Sequence, residues 1–244
     1  MASPVRLYQQ EMHNNLGFFA TWLPANTIEL GDFGVLEAGR FRRVGSLREL
    51  GIPQAAVREG TPENLSYSSS AERKFAAAIE ANIPAPPKAE LAIRFTRQGG
   101  YVFEAVGIRN VEIADRMALA DCILGFYQQG RWRREWLLVD AVCRAATATI
   151  IVSEDSSSEI VLNASGNIPL GSLPLADPKL GLSVSSTSGK LVHVVAQNDV
   201  SPLYSCLKVR DPLIGSASVA PVRGLKEKAG QLLTRLGIED LLQS

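Results

Sequence analysis

The sequence predicts an α+β fold: a central twisted, mostly antiparallel sheet with packed helices and a short C-terminal helix. Three observations carry that expectation. First, Leu91, Ile93 and Phe95 alternate with Ala92, Arg94 and Thr96, and Tyr101, Phe103 and Ala105 alternate with Val102, Glu104 and Val106. A period of two marks strands with one apolar face. Second, residues 136–153 are apolar on almost both faces, interrupted only by Asp140 and Arg144. A central strand covered on both sides reads this way. Third, Val5, Tyr8, Met12 and Leu16 recur at helical spacing, as do Ile113, Met117, Ala120 and Leu124.

In chain order, Ser3-Pro4 reads as a helix start and Gly17 as its stop. Residues 18–43 read as short strands broken at Gly31, Gly34 and Gly39. Ser46 and Glu49 have capping-box spacing for a very short helix, 47–50, closed by Gly51. Ser69 and Glu72 repeat that spacing for a helix reaching about Asn82, which Pro84, Pro86 and Pro87 end. A hairpin follows, with a three-residue loop at Gln98-Gly99-Gly100. It sets Phe95 opposite Phe103 and Arg94 opposite Glu104. Asn110 reads as the cap of a helix over 111–129, stopped by Gly130. A second strand pair, 136–153 with 159–166, is joined by the polar loop 154–158. Later, 180–186 and 190–197 read as a hairpin, Ser201-Pro202 as a break, and 203–209 as another strand. Residues 1–212 form one domain in this reading, 213–222 a small-residue linker and 223–244 an amphipathic tail, with Leu225, Leu232, Leu233 and Leu236 on one side.

The formal net charge is zero, so no bulk attraction to nucleic acid or anionic membrane is expected, and local patches must supply any such contact. Hydrophobic residues at 46% and charged residues at 20% describe a globular chain. No apolar run reaches the roughly 18–20 residues of a membrane helix, and no secretory signal opens the chain. Cys122, Cys143 and Cys206 are an odd, widely spaced set in apolar surroundings. They read as buried reduced thiols, and the expected location is cytoplasmic.

Motifs of nucleophilic, phosphate-binding and zinc chemistry are missing: GxSxG, the P-loop, GxGxxG after a strand, CxxC and HExxH. His13 and His193 alone make no metal site. Neither an enzyme, a cofactor nor a metal is expected. Asp140, two turns of the pleat from Arg144 on the same strand, reads as a structural partner rather than an acid.

Two basic clusters invite a choice. Arg40, Arg42 and Arg43 surround Phe41, either on a solvated strand face or as a site for phosphate or lipid head groups. Arg131, Trp132, Arg133 and Arg134 are either a strand start with tryptophans packed inward, or a membrane-interface or base-stacking segment.

The order of strand pair, helix, long strand, polar loop and alternating strand, closed by residues 189–196 and a last strand, resembles the pore-forming domain of gasdermins in their compact bacterial and fungal form. The resemblance spans about 89–210. It implies an autoinhibited cytoplasmic protein that moves to the membrane after a protease releases its C-terminal tail, then oligomerises, inserts β-hairpins and causes cell death in defence. Its partners would be anionic membrane lipid, the activating protease and further copies of itself, with no nucleic acid. On this resemblance Leu91, Ile93, Phe95, Tyr101, Phe103, Ile160 and Leu162 are the membrane-hairpin candidates. Arg40, Arg42, Arg43, Arg131, Trp132, Arg133 and Arg134 are the lipid candidates. Leu225, Leu232, Leu233 and Leu236 form the autoinhibitory tail. The alternative is a soluble α+β binding or assembly subunit that docks its C-terminal helix on a partner.

Overall fold

The computed structural model describes residues 4–21, 28–53, 56–69, 76–77, 89–165, 173–209 and 233–235. In chain order its elements begin with helix α1 (Pro4–Leu16) and strands β1 (Phe19–Ala20), β2 (Asp32–Glu37) and β3 (Arg40–Ser46). Next come β4 (Val57–Glu59), β5 (Glu63–Ser68), β6 (Ala76–Ala77), β7 (Ala89–Phe95) and β8 (Tyr101–Ile113). Helix α2 (Arg116–Gln128) leads to β9 (Leu137–Ser153), β10 (Ser158–Ala164), a 3-10 turn at Pro178–Leu180, β11 (Leu182–Ser188), β12 (Leu191–Val209) and β13 (Leu233–Arg235).

These strands make two antiparallel sheets. The larger is built on β8, β9 and β12, side by side. β4 and β5 pair with β8, β2 joins the start of β9 and carries β3, and β1 and β13 both pair with β12. The smaller runs β11–β10–β7–β6. Strands dominate, and the described residues hold only two α-helices, so the expectation of several packed helices gives way to a sheet-built molecule.

α1 forms as its apolar spacing requires, with Tyr8 and Met12 buried and Gly17 closing it at φ 71°. Tyr8 and Met12 pack on Tyr101, Phe103 and Ile150 in one core cluster. Gln9 fixes the strand after the helix, since its Oε1 accepts the Ala20 N–H at 2.7 Å. Ser46 and Glu49 do make reciprocal capping bonds, around a single turn at 47–50.

Several expectations are corrected. α2 begins at Arg116, not Val111, because Val111 and Glu112 stay in the ladder opposite Val142 and Ala141. Asp115 is the cap, accepting the Ala118 N–H at 2.9 Å. Residues 76–77, expected in a helix, pair with β7 as a strand; the rest of that helix beyond Ser69 lies outside the described residues. Pro202 does not break the chain: β12 runs through it with a register shift between Val200 and Leu203. A bulge is where a strand tolerates proline. Residues 233–235, expected in the tail helix, pair as a strand with 207–209; Leu225, Leu232 and Leu236 lie outside the described residues.

The largest correction concerns the hairpins. β7 does not pair with β8; it pairs with β10, setting Phe95 opposite Ser158 and Arg94 opposite Glu159. β9 pairs with β8 and β12 rather than β10, and β11 pairs with β10 rather than β12. Each expected hairpin is instead an arch, with one arm in each sheet.

Candidate functional site

Three arches meet at one end of the molecule, at residues 96–100, 154–157 and 189–190. Phe95 pairs with Ser158 and Tyr101 with Val152. That is six positions on along one strand and six back along the other, so the ladder turns the corner without losing register. Backbone bonds hold the corner itself: Gly99 N–H to Ser153 O and Ser153 N–H to Gly100 O, both 2.8 Å. Gly99 sits at φ 78°, a conformation glycine reaches without strain. The flanking ladders also turn, with a slip. Ser68 pairs with Val102 and Ala76 with Ala92, a two-residue slip. Ser153 pairs with Leu191 and Glu159 with Ser188, a slip of three. The two sheets are therefore one four-ribbon meander folded over on itself, its ribbons being 63–68 with 76–77, 89–113, 137–164 and 182–209.

The faces change layers at the fold. In the larger sheet Leu65, Tyr67, Tyr101, Phe103, Ala105, Ala148, Ile150 and Val152 share the apolar face that α1 covers. The opposite face carries Ser66, Glu104, Thr149 and Ser153 among Val102 and Ile151. The smaller sheet lays Leu91, Ile93, Phe95, Ile160, Leu162 and Ala164 on that second, half-polar face. Along a straight strand, however, Leu91, Ile93 and Phe95 lie on the same side as Tyr101, Phe103 and Ala105, because side chains alternate with period two. Straight ribbons would have one apolar face and one half-polar face, with Val102 and Ile151 on the second. The fold stacks the apolar face of one half on the polar face of the other.

That stacking buries polar groups, and they are bonded. Glu104 is 5% exposed; it accepts the Leu175 N–H and the Ser66 hydroxyl. Thr149 donates to Leu175 O at 2.9 Å and accepts the Ala196 N–H at 2.9 Å. Ser153 and Ser158 hydroxyls bond across the corner at 2.7 Å. Arg94 and Glu159 pair on the outer face of the smaller sheet.

A second polar network lies toward the far end of the larger sheet, below α2. Arg116 reaches Asp140, which is fully buried, at 3.0 Å and Glu112 at 2.8 Å. Arg58 also binds Glu112, and Ser205 donates to Asp140 at 2.6 Å. Asp140 is thus a structural partner as expected, with Arg116 in place of Arg144. The hydrogen bond from Arg58, helped by the charge of Arg116, holds the Glu112 carboxyl below its usual range against the effect of burial.

The arginine clusters are far from the corner. Arg42 pairs with Glu37 at 2.7 Å, and Arg43 with Asp32 and Glu49 at 2.8 Å each. Arg40 is exposed on β3. Trp132 is buried, in ring contact with Phe33 and Trp136. Arg131 lies over Phe126 and Arg133 over Trp136, while Arg134 is exposed. This group precedes β9, a 17-residue strand away from the fold-over. All hairpin candidates are buried around the two faces just described. Burial raises all three thiols, Cys143 to about 12. Among the described residues no three His, Cys, Asp or Glu side chains group to hold a metal, and no helix is long and apolar enough to cross a membrane.

Sequence reasoning missed Glu104, Thr149 and Leu175. The available signal was the phase of alternation, which is continuous from residue 91 to 105 across a five-residue interruption.

No protein-family description matches the chain, and no curated protein matches it. Among solved structures it is similar to the cryo-EM structure of the Gasdermin A3 membrane pore, at 10% sequence identity. The likeness covers 89% of this chain and 97% of that one, with a TM-score of 0.32. It is a distant resemblance of fold and assigns no residue and no activity.

Proposed function

We propose that the protein forms membrane pores: the four folded ribbons straighten and contribute a stretch of β-barrel wall. The observation that carries this reading is the register-keeping corner between 89–113 and 137–164. There the ladder needs no re-pairing to straighten, and only the straight form brings Leu91, Ile93, Phe95, Ile160 and Leu162 to the same side as Tyr101, Phe103 and Ile150. A barrel wall needs that sidedness, lipid outside and water inside. Leu91, Ile93, Phe95, Ile160 and Leu162 would meet lipid, while Arg94, Glu104, Thr149, Ser153 and Glu159 would face water.

β7, β10 and β11 have 7 residues each, two short of the roughly 9 that a tilted barrel strand needs at least, so the wall must draw further residues from beyond these arms. Leaving the folded form uncovers the cluster between the sheets; the five side chains assigned to lipid account for about 8–15 kcal/mol at the usual value per side chain, which lipid would replace. Four ribbons are half the strands of the smallest membrane barrels, so several copies must combine.

The tail fits as a restraint. β13 occupies the edge of β12 at 207–209, next to the edge a neighbouring copy would take. Cleavage by a protease within 213–222 would free it, and the pore formed would end the cell. The test is dye release from vesicles containing phosphatidylserine. The chain ended at Val222 releases dye at least tenfold faster than the full-length chain. Silence from every truncation within 213–222 contradicts the reading.

A further inference from the structure

We infer that Glu104 and Thr149 form a clasp on Leu175 that keeps the smaller sheet folded down on the larger one; the inference rests on the pore reading for its functional consequence. Leu175 lies in the segment joining β10 to β11, the turn of the second straightened hairpin. It is 4% exposed, and its side chain packs in the cluster between the sheets. Both of its backbone groups are held by side chains of the larger sheet, the N–H by Glu104 and the C=O by Thr149.

The anchors are tied in turn. Glu104 also takes the Ser66 hydroxyl from β5, and Thr149 takes the N–H of Ala196 from β12, where that residue sits at φ 47°. Glu104 and Thr149 face each other across β8 and β9. One residue of the joining segment is thereby bonded into all four ribbons of the larger sheet. The two bonds to Leu175 are side chain to backbone and cross from layer to layer, so straightening breaks them while the ladder around the corner survives. A hydrogen bond to a carboxylate is among the stronger ones in a folded protein. Its loss should be felt most in the segment it holds.

The test uses the full-length chain with Thr149→Val, Glu104→Gln and the double variant. Thr149→Val keeps the side-chain shape, so it reports even if Glu104→Gln folds poorly. Amide hydrogen exchange is read at Leu175, along β7 and β10, and at β8 and β9. The clasp predicts at least tenfold faster exchange at Leu175 and in β7 and β10 of the double variant, with β8 and β9 unchanged. In phosphatidylserine vesicles the double variant also releases dye about tenfold faster than the parent chain. Unchanged exchange in β7 and β10 overturns the clasp, whatever the vesicles do. Faster exchange there with no dye release even from chains ended within 213–222 upholds the clasp and removes the pore reading instead. Faster exchange with release no faster than the parent's, while a chain ended within 213–222 does release dye, overturns the clasp's control of release.

Discussion

Asp140 shows what a single residue demands of this fold. Its side chain is wholly buried, and Arg116 from α2 supplies the opposing charge. Removing one partner of a buried pair strands the other, at about 3–5 kcal/mol. Arg116→Leu is therefore expected to lower unfolding stability by about that much, read from urea denaturation. Glu112 gives the pH dependence. Folding holds its carboxyl below the usual range, so it adds stability above its unfolded value, near 4.3, and that stability is lost as pH falls through the folded value. The urea midpoint of the parent chain should drop on acidification below about pH 4. Glu112→Gln should start lower at neutral pH and drop less; equal slopes for the two would remove Glu112 from the account. At this scale the sequence was partly legible. Asp140 could be read as a structural residue from its place on an apolar strand, but its partner could not. Arg116 lies in a helix start that was read as starting five residues earlier, and spacing along a strand favoured Arg144.

Strands were legible as strands and illegible as pairs. Alternation records which side chains share a face. It does not record whether the next strand lies beside the first or above it. Gln98-Gly99-Gly100 suits a hairpin loop, yet it also suits a corner between layers, where Gly99 takes φ 78°. Pairing Phe95 with Phe103 looked favourable, and the fold stacks those residues in different layers, with Ser158 and Ile150 as their ladder partners. The same alternation makes a prediction about β7 and β10 in the membrane. Single cysteines placed at 91, 93, 95, 160 and 162, and carrying an environment-sensitive dye, should report lipid in vesicles that have been permeabilised. Cysteines at 92, 94, 159, 161 and 163 should report water. An unbroken polar or apolar signal along either strand would leave no barrel wall.

For the whole molecule, the α+β expectation captured the central long strand, the N-terminal helix and α2, but gave helices too large a share. The folding-over was beyond reach because it depends on contacts between residues such as Leu175 and Glu104, 71 positions apart. Its physical consequence is that the apolar face of the smaller sheet is covered by the larger sheet, and the proposed function requires that cover to be lost. That claim has a direct measurement. Spin labels at positions 94 and 106 lie in stacked layers of the folded chain, under about 20 Å apart given a sheet spacing of about 10 Å. Twelve positions along one straight strand span about 40 Å. Pulsed electron spin resonance should show the short distance in solution and the long one in permeabilised phosphatidylserine vesicles. A short distance that persists while those vesicles leak would contradict the straightening on which the proposed pore depends.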